Sequence, residues 1–179
     1  MDTISTDKFW ALIDEAVKSS NGNNSLKEDY LTTELEKLSL DEIKDFELAF
    51  RKCVIDADDF NVMAAQKIID GYVSDDTYLY FRCWLIGQGQ TVYSETLKNP
   101  DYLANLVNEG DECDWEGIMY LATKAYSQKT GKEEDETFPR DVAIEMGLDY
   151  DFGAPPTKGT DWTEEQLPTL LPKLWAKFN

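Results

Sequence analysis

The fold is decided by one stretch of the chain, Gly71-Tyr72-Val73-Ser74-Asp75-Asp76-Thr77-Tyr78-Leu79-Tyr80-Phe81-Arg82-Cys83-Trp84-Leu85-Ile86-Gly87-Gln88-Gly89. It combines several aromatic side chains with one arginine and two adjacent aspartates in a segment of helix length. Gly71 predicts the end of the preceding helix, and Ser74 predicts an N-cap whose first turn holds Asp75 and Asp76. Gly89 predicts the C-terminal stop. The sequence therefore predicts a central, mostly buried helix over about residues 75–88.

Apolar residues recur at helical spacing on both sides of this segment, and no strand pattern or internal repeat is evident. Ser25 and Ser39 each begin a capping box, and the aspartates of 56–59 are expected to cap the helix that follows them. The predicted helices cover residues 6–19, 25–37, 39–55, 60–70, 91–98, 99–108 and 112–129, with one or two turns at 141–146 and a Pro-interrupted helix within 161–177.

These elements predict one compact all-α domain that spans residues 1–179. Its core is expected in residues 6–130, followed by a linker over 131–160 that begins with charged residues. The linker contains Gly153-Ala154-Pro155-Pro156, which indicates an extended Pro/Gly-rich crossing. Residues 161–179 are predicted to dock onto the core through Leu170, Leu171, Leu174, Trp175 and Phe178.

The chain is strongly acidic, with 36 Asp and Glu against 17 Lys and Arg and a formal net charge of -19. Binding to nucleic-acid phosphates draws its affinity from cationic contacts, so the charge argues against a nucleic-acid partner and against anionic membrane surfaces. The segment 109–165 holds 16 acidic and 5 basic residues. A basic protein partner is therefore expected to meet this part of the chain first.

Histidine is absent, and this absence narrows the possible chemistry. It excludes Ser-His-Asp and Cys-His nucleophile activation and every metal site that needs imidazole. Cys53, Cys83 and Cys113 lack metal-ligand spacing and are predicted to be reduced packing residues. No signal peptide and no membrane-spanning run of apolar residues is recognised, so the cytoplasm is the expected location.

The chain resembles a family of uncharacterised bacterial proteins, domain of unknown function 4240 (DUF4240). The resemblance rests on Phe9-Trp10-Ala11-Leu12-Ile13-Asp14-Glu15-Ala16, on Ser74-Asp75-Asp76 with Tyr80-Phe81-Arg82-Cys83-Trp84-Leu85-Ile86-Gly87-Gln88-Gly89, and on Leu174-Trp175-Ala176-Lys177-Phe178. It covers nearly the whole chain. It implies a soluble protein, sometimes joined to other modules, and it supplies no activity, cofactor or catalytic residue.

The candidate ligand-binding residues lie on and next to the central helix: Arg82, Asp75, Asp76, Tyr78, Trp84 and Gln88. An arginine on the apolar face of a buried helix needs a partner, because an unpaired buried charge is costly. In a structural interpretation, Arg82 pairs with an aspartate of the 56–59 turn or with Asp75 or Asp76. In a functional interpretation, Arg82 lines a pocket for an anionic or planar ligand together with Tyr78 or Trp84.

Residues 56–59 do not fit a calcium loop, because Asn61 and Lys67 occupy positions where such a loop needs Gly and Glu. The aspartates at 56, 58, 59, 75 and 76 remain able to converge on Mg²⁺ or Ca²⁺ only if the fold brings them together. The sequence alone assigns no catalytic residue, no metal ligand and no cofactor.

The sequence thus favours a non-enzymatic cytoplasmic binding protein whose acidic surface covers a basic partner. An inhibitor and an immunity-type protein are two kinds of protein that would act in this way. The alternative is a small-molecule-binding protein or carboxylate-dependent enzyme with a pocket around Arg82. The first interpretation predicts a broad acidic face, and the second predicts a concave pocket at that arginine. The sequence does not determine the oligomeric state.

Overall fold

The computed structural model describes residues 6–179, which form an all-α fold as predicted. The helices are α1 (Thr6–Ser20), α2 (Asn24–Lys37), α3 (Leu40–Asp56), α4 (Phe60–Asp70), α5 (Asp75–Ile86), α6 (Gln90–Lys98), α7 (Leu121–Thr130), α8 (Pro139–Glu145), α9 (Leu167–Leu170) and α10 (Pro172–Phe178). Three 3₁₀ helices lie at Pro100–Asn105, Glu116–Tyr120 and Glu164–Gln166. Residues 6–179 contain no strand, and their one isolated bridge joins Asp59 to Lys158.

The core forms where the apolar faces of α1, α2, α3, α5 and α7 meet. Phe9 of α1 contacts Phe46 of α3, with ring centroids 5.2 Å apart, and Phe81 of α5 is fully buried in the same cluster. Burial of a large apolar side chain contributes about 1.5–3 kcal/mol. The packing of these faces therefore supplies most of the free energy that holds α5 at the centre. None of the described helices is long and apolar enough to cross a membrane.

The start of α2 differs from the prediction. Asn23, in extended backbone geometry, accepts a hydrogen bond from the backbone N–H of Leu26, so the helix begins at Asn24 and the predicted capping box at Ser25 is wrong. Asparagine caps a helix as well as serine does. Asn24 also donates a hydrogen bond from Nδ2 to the carbonyl of Asp114, and this contact fixes the loop before the second 3₁₀ helix.

The predicted stop of α5 at Gly89 is also wrong, because the helix ends at Ile86. Gly89 has a φ of 94° and instead begins α6, where the Asp14 carboxylate of α1 accepts the backbone N–H of Gln90 at 2.8 Å. A Cβ on Gly89 would lie 2.7 Å from that carboxylate. Glycine is required here by both its backbone angle and its close neighbour.

The helix predicted from residue 112 begins later, as a 3₁₀ turn at Glu116, and becomes α-helical at Leu121. Trp115 is the cause. Its backbone is non-helical, with a φ of -157° and a ψ of 74°, and its N–H donates to the carbonyl of Tyr80 at 3.2 Å. Its indole N–H donates to Glu28 at 2.7 Å. Burial of this large side chain against α5 and α2 outweighs the local preference for a helix.

The segment predicted as a linker over 131–160 contains α8, which packs against α3 and α7. Phe138 is buried and its ring centroid lies 4.9 Å from that of Tyr126. Beyond α8, Arg51 of α3 donates to the carbonyl of Leu148 and lies 4.4 Å from the ring centroid of Tyr150. The chain from α8 to Tyr150 is therefore fastened to α3.

The C-terminal segment packs on α4 and on the first 3₁₀ helix through α10. Leu171 and Leu174 are buried, as predicted, whereas Leu170 is exposed, contrary to the prediction. The N-terminus of α10 has no cap from its own sequence. The buried carboxylate of Asp101 accepts the backbone N–H groups of Lys173 and Leu174 instead, at 2.8–3.0 Å. A negative charge at a helix N-terminus is favourable, so this contact holds the end of the chain in place.

Candidate functional site

The N-terminal end of α5 lies between two cavities, and its local sequence accounts for its position. Ser74 and Thr77 form a reciprocal capping box at the start of the helix, and Asp75 and Asp76 occupy its first turn as predicted. Carboxylates are stabilised there by the helix dipole. From Phe81 to Ile86 every residue is buried. The acidic end of α5 therefore reaches the surface while its other end is anchored in the core.

Arg82 is 6% exposed and is held by several partners. Its Nη1 donates to the carbonyl of Val54 at 3.2 Å, and its Nε donates to the carbonyl of Tyr78 at 3.4 Å. Its guanidinium also lies 3.8 Å from the carboxylate of Asp58 and 4.5 Å from the ring centroid of Tyr78. Arg82 thus pairs with an aspartate of the 56–59 turn, which is the arrangement given by the structural interpretation.

Arg82 stabilises the C-terminus of α3. The last carbonyls of a helix lack partners within the helix and carry partial negative charge. Those of Cys53, Val54 and Asp56 accept hydrogen bonds from Tyr93 Oη at 2.7 Å, from Arg82, and from Lys158 Nζ at 2.7 Å. Two cations and one hydroxyl from distant parts of the chain therefore complete the end of α3.

Tyr78 joins the same turn to α5. Its hydroxyl accepts the backbone N–H of Asp59 at 3.0 Å and is within donating distance of the carbonyls of Ala57 and Asp59. Burial raises the pKa of Tyr78 well above its ordinary value, even though the neighbouring Arg82 acts in the opposite direction. The hydroxyl therefore stays protonated and acts as a bridge between backbone groups.

The first cavity, here named the Arg82 cavity, has a volume of about 250 Å³. Four of the six candidate residues line it: Arg82, Asp75, Asp76 and Tyr78. The other two do not. Trp84 packs on Phe81 with ring centroids 5.4 Å apart, and Gln88 lies beyond the end of α5 and donates to the carbonyl of Trp84.

The Arg82 cavity also contains side chains that sequence reasoning missed, namely Met63, Tyr150, Asp151 and Thr157. Met63 belongs to α4, and the other three come from the chain after α8. No periodicity or motif links these positions to α5. The contacts of Tyr150 with α3 bring it and Asp151 there, and the backbone hydrogen bonds of Lys158 with Asp58 and Phe60 bring the neighbouring Thr157 there.

The second cavity lies on the other side of α5 and is here named the Gln66 cavity, with a volume of about 290 Å³. Gln66 and Asp70 of α4 line it, together with Thr77 and Tyr80 of α5. The remaining lining residues are Tyr72, Asp111, Glu112, Cys113 and Asp114. Sequence analysis identified none of these as a site, because Gln66 is an ordinary polar residue within a helix.

Gln66 is unusual within the structure. It is 1% exposed, and its Oε1 receives no hydrogen bond from any of residues 6–179. An unsatisfied buried acceptor costs about 1–3 kcal/mol. Most buried polar groups in folded proteins have a partner, so this atom requires an explanation.

The ionisable groups of the Gln66 cavity experience a negative environment. Burial and the negative charge of Asp114 raise the pKa of Asp70, while Gln66 opposes the shift. The pKa of the Cys113 thiol is raised to about 12, first by burial and then by Asp70, Asp111 and Asp114. A positive charge in this cavity would be favourable for the same reason.

The three cysteines are free and buried, which confirms that they are packing residues. Burial raises the pKa of the Cys53 thiol to about 12 and raises that of Cys83 as well. The thiolate is the reactive form of cysteine. These thiols are therefore poor nucleophiles near neutral pH. Within residues 6–179, no group of three or more Asp, Glu, Cys or His side chains is arranged to hold a metal ion.

The family model described as a protein of unknown function, DUF4240, matches residues 4–128. Neither the curated proteins nor the solved structures contain a significant match to this chain. The matched region includes α5 and most residues that line both cavities.

Proposed function

The chain belongs to the DUF4240 family, whose function is unknown, and from its surface we propose that it is a non-enzymatic cytoplasmic protein that binds a basic protein partner. In this proposal the acidic end of α5 and the two cavities beside it form the binding face. An inhibitor or an immunity-type protein that covers its partner would act in this way. The free, buried cysteines support a reducing compartment.

The single observation that carries the proposal is the concentration of carboxylates around α5. Eight acidic residues line the two cavities: Asp58, Asp75, Asp76 and Asp151 in one, and Asp70, Asp111, Glu112 and Asp114 in the other. Among the described lining residues Arg82 is the one cation, and it is buried and engaged with Asp58. The face therefore keeps a large excess of negative charge.

Most of this charge is available to a partner. Apart from Asp58, none of the eight acidic residues forms an ion pair with another residue in the described range 6–179. Complementary charge across an interface accelerates association and selects the partner. Four of the eight lie within the acidic segment 109–165, which the sequence identified as the expected contact region.

Several features support binding rather than catalysis. The chain contains no histidine. Its cysteine thiols have raised pKa values, and the guanidinium of Arg82 is directed to backbone carbonyls. A reaction at this face would thus depend on exposed carboxylates alone, and carboxylates in such number are expected on any acidic surface.

The alternative, a small-molecule-binding protein or carboxylate-dependent enzyme with its site at Arg82, has one observation in its favour. The Arg82 cavity is concave and combines the arginine with Tyr78 and Tyr150. It predicts saturable binding of a small anion that Arg82→Ala abolishes. The primary proposal predicts that partner binding survives changes to Arg82 that leave the fold intact.

The test uses the full chain, immobilised at low salt, to capture and identify a basic protein from cells of its source. The affinity of the purified partner is then measured for the wild type, for Asp75→Asn with Asp76→Asn, and for Asp111→Asn with Asp114→Asn. Loss of two charges from the face is expected to weaken binding about tenfold, and binding is expected to fall as salt rises.

The matched control is Asp29→Asn with Glu36→Gln, which removes the same net charge from exposed positions of α2, outside the segment 109–165 and outside the lining of both cavities. It is expected to leave the affinity nearly unchanged. Equal weakening in the control would mean that overall charge, rather than this face, drives the binding. A captured partner whose affinity is independent of salt and of all these variants would contradict the proposal.

A further inference from the structure

A groove lies between the start of α4 and the segment that leads into α9, and it is here named the Trp162 groove. Its volume of about 590 Å³ is about twice that of the Gln66 cavity. Trp162 and Leu170 provide its large apolar side chains, and Leu170 is 41% exposed. Leu167 and Leu171, on either side of Leu170 in the chain, are buried. The core therefore covers those two leucines and leaves Leu170 in the groove.

The wall of the Trp162 groove is held in place by contacts within the chain. The indole N–H of Trp162 donates to the carbonyl of Phe60 at 2.7 Å, which fixes the ring beside the start of α4. The backbone of Lys158 exchanges two hydrogen bonds of 3.0 Å with Asp58 and Phe60, and these fix the chain that enters the groove. The groove is therefore preformed, so a ligand can occupy it with little ordering of the protein.

The exposed edge of the groove is acidic. Asp161 and Glu165 line it, and neither forms an ion pair within residues 6–179. No lysine or arginine is among the described residues that line the groove. A second copy of this chain would be an unfavourable occupant, because its formal net charge of -19 would bring more negative charge to this edge. The groove therefore fits a ligand that is apolar at its centre and positively charged beside it.

We propose that the Trp162 groove binds a short segment of the basic partner. One apolar side chain of that segment packs between Trp162 and Leu170, and the lysine or arginine side chains that flank it face Asp161 and Glu165. This inference rests on the proposed function and adds the place where the partner is anchored and the kind of segment that anchors it. The apolar contact contributes affinity, while the charges accelerate association and select a basic partner.

The position and size of the groove suit a segment of chain. Its volume lies within the range of about 300–1,000 Å³ that is typical of ligand pockets. Thr157 lines the Arg82 cavity, and Gly159, two residues further along the chain, lines the groove. One partner can therefore contact the acidic end of α5 and the groove at the same time.

The test selects short random peptides, displayed on phage, for binding to the immobilised full chain at low salt. The enriched peptides are expected to share an apolar residue flanked by lysine or arginine. An enriched peptide is then added to the protein and followed by ¹H–¹⁵N NMR, and saturable shifts are expected at the backbone amides of residues 159–166. Absence of enrichment over the support without protein, enrichment of peptides that lack basic residues, or shifts that leave residues 159–166 unaffected would overturn the inference.

Two variants separate the apolar contact from the charges. Leu170→Ser removes the exposed apolar side chain, and it is expected to weaken binding of the enriched peptide about tenfold, since the peptide then loses part of the apolar surface that it buries. Asp161→Asn with Glu165→Gln removes both carboxylates, and it is expected to weaken binding about tenfold and to reduce its dependence on salt. Unchanged binding in either variant would overturn the inference.

Each variant has a matched control. Leu106→Ser makes the same change at a leucine that is also 41% exposed but lines neither the groove nor the two cavities beside α5. Asp29→Asn with Glu36→Gln removes the same charge from exposed positions of α2. Both controls are expected to bind the peptide as the wild type does. Weakening in a control equal to that in its site variant would overturn the inference.

The outcome is separable from that of the proposed function. If a basic partner binds in a salt-dependent manner but Leu170→Ser binds it as the wild type does, the anchoring groove is wrong and the acidic face stands. If basic peptides bind in the groove but no basic partner depends on the acidic residues beside α5, the proposed function is wrong and the groove is a peptide site of its own. Thermal unfolding of each variant verifies that it is folded.

Discussion

The two cavities beside α5 each contain four acidic residues, yet they differ in the state of their buried polar group. In the Arg82 cavity the buried guanidinium has two backbone carbonyls and the Asp58 carboxylate as partners, although the other oxygen of that carboxylate, Oδ1, has no hydrogen-bond partner among residues 6–179. In the Gln66 cavity the buried group is a neutral amide whose oxygen has no donor among residues 6–179.

This difference shows that a buried charge does not by itself indicate a binding site. A buried charge must be compensated, and for Arg82 the fold itself provides the compensation. Nothing in the sequence distinguishes Gln66 from other polar helix residues, yet its Oε1 has no donor among residues 6–179. Whether a buried polar group is satisfied depends on its neighbours, so it follows from the packing and not from the residue type.

Arg82→Ala tests the structural half of the comparison and should have the largest effect. The variant removes hydrogen bonds from the end of α3 and leaves Asp58 without its cation, so the free energy of unfolding should fall by about 3 kcal/mol. Urea unfolding monitored by tryptophan fluorescence measures the change. Arg140→Ala, which removes an exposed arginine from α8, should cost less than about 0.5 kcal/mol. Wild-type stability in Arg82→Ala together with loss of a small-molecule ligand would assign the Arg82 cavity to binding instead.

Gln66→Met tests the other half and should have a smaller effect. It removes an unsatisfied buried acceptor, which favours the variant, but it also removes the hydrogen bond from Gln66 to Asp70, so the free energy of unfolding should change by less than about 1 kcal/mol. Gln88→Met makes the same change where the amide donates to the carbonyl of Trp84, and it should decrease the free energy of unfolding by about 1 kcal/mol. A larger loss of stability in Gln66→Met than in Gln88→Met would mean that the amide oxygen of Gln66 is satisfied in solution.

Asp70→Asn should have the smallest effect, visible mainly in its pH dependence. The pKa of Asp70 is raised above its ordinary value of 3.8, so the folded protein holds this proton to higher pH than the unfolded chain does. The protonated form of Asp70 therefore favours the folded state. The wild type has this stabilisation at low pH and loses it as the pH rises through the pKa of Asp70 in the folded protein. The variant should gain stability relative to the wild type over the same range, by less than about 0.5 kcal/mol because the residue is exposed.

Thermal unfolding of both proteins between pH 3 and pH 7 measures the Asp70 effect, and Asp151→Asn provides the matched loss of one carboxylate at the other cavity. A stability difference that is constant with pH would show that the negative environment of the Gln66 cavity is neutralised in solution.

Part of the candidate site could be predicted from the sequence, because it lies on one helix. Residues at helical spacing share a face, so Asp75, Tyr78 and Arg82 are expected near one another, and all three line the Arg82 cavity. Gln88 lies outside α5, which ends at Ile86, where the backbone packs against Trp115; a Cβ on Gly87 would lie 2.4 Å from that ring. The proximity of Asp75, Tyr78 and Arg82 is thus the feature of the site that the sequence predicts. Whether they bind a ligand stays a prediction.

The sequence by itself determined where a helix begins or ends wherever the signal is local, as it is for most of the helices. Ser39, Asp59, Ser74 and Asn99 each cap the helix that follows them, and Gly71 and Gly131 end helices in left-handed geometry. Such a cap joins groups two or three residues apart, so the necessary partner is always within reach of the chain. The all-α fold follows from these signals together with the apolar periodicity.

Only the tertiary structure decided which helix ends are completed from a distance. Asp14 of α1 caps α6, Asp101 caps α10, and Arg82 with Lys158 completes α3. Every helix end has backbone groups that need a partner, but any suitable side chain that the packing brings near can provide it. The sequence therefore shows that a partner is needed, but it does not identify which residue provides it. The same reason separates Arg82 from Gln66. Each has hydrogen-bonding capacity in the sequence, and the packing of α3, α4 and α5 decides how much of it is fulfilled among residues 6–179.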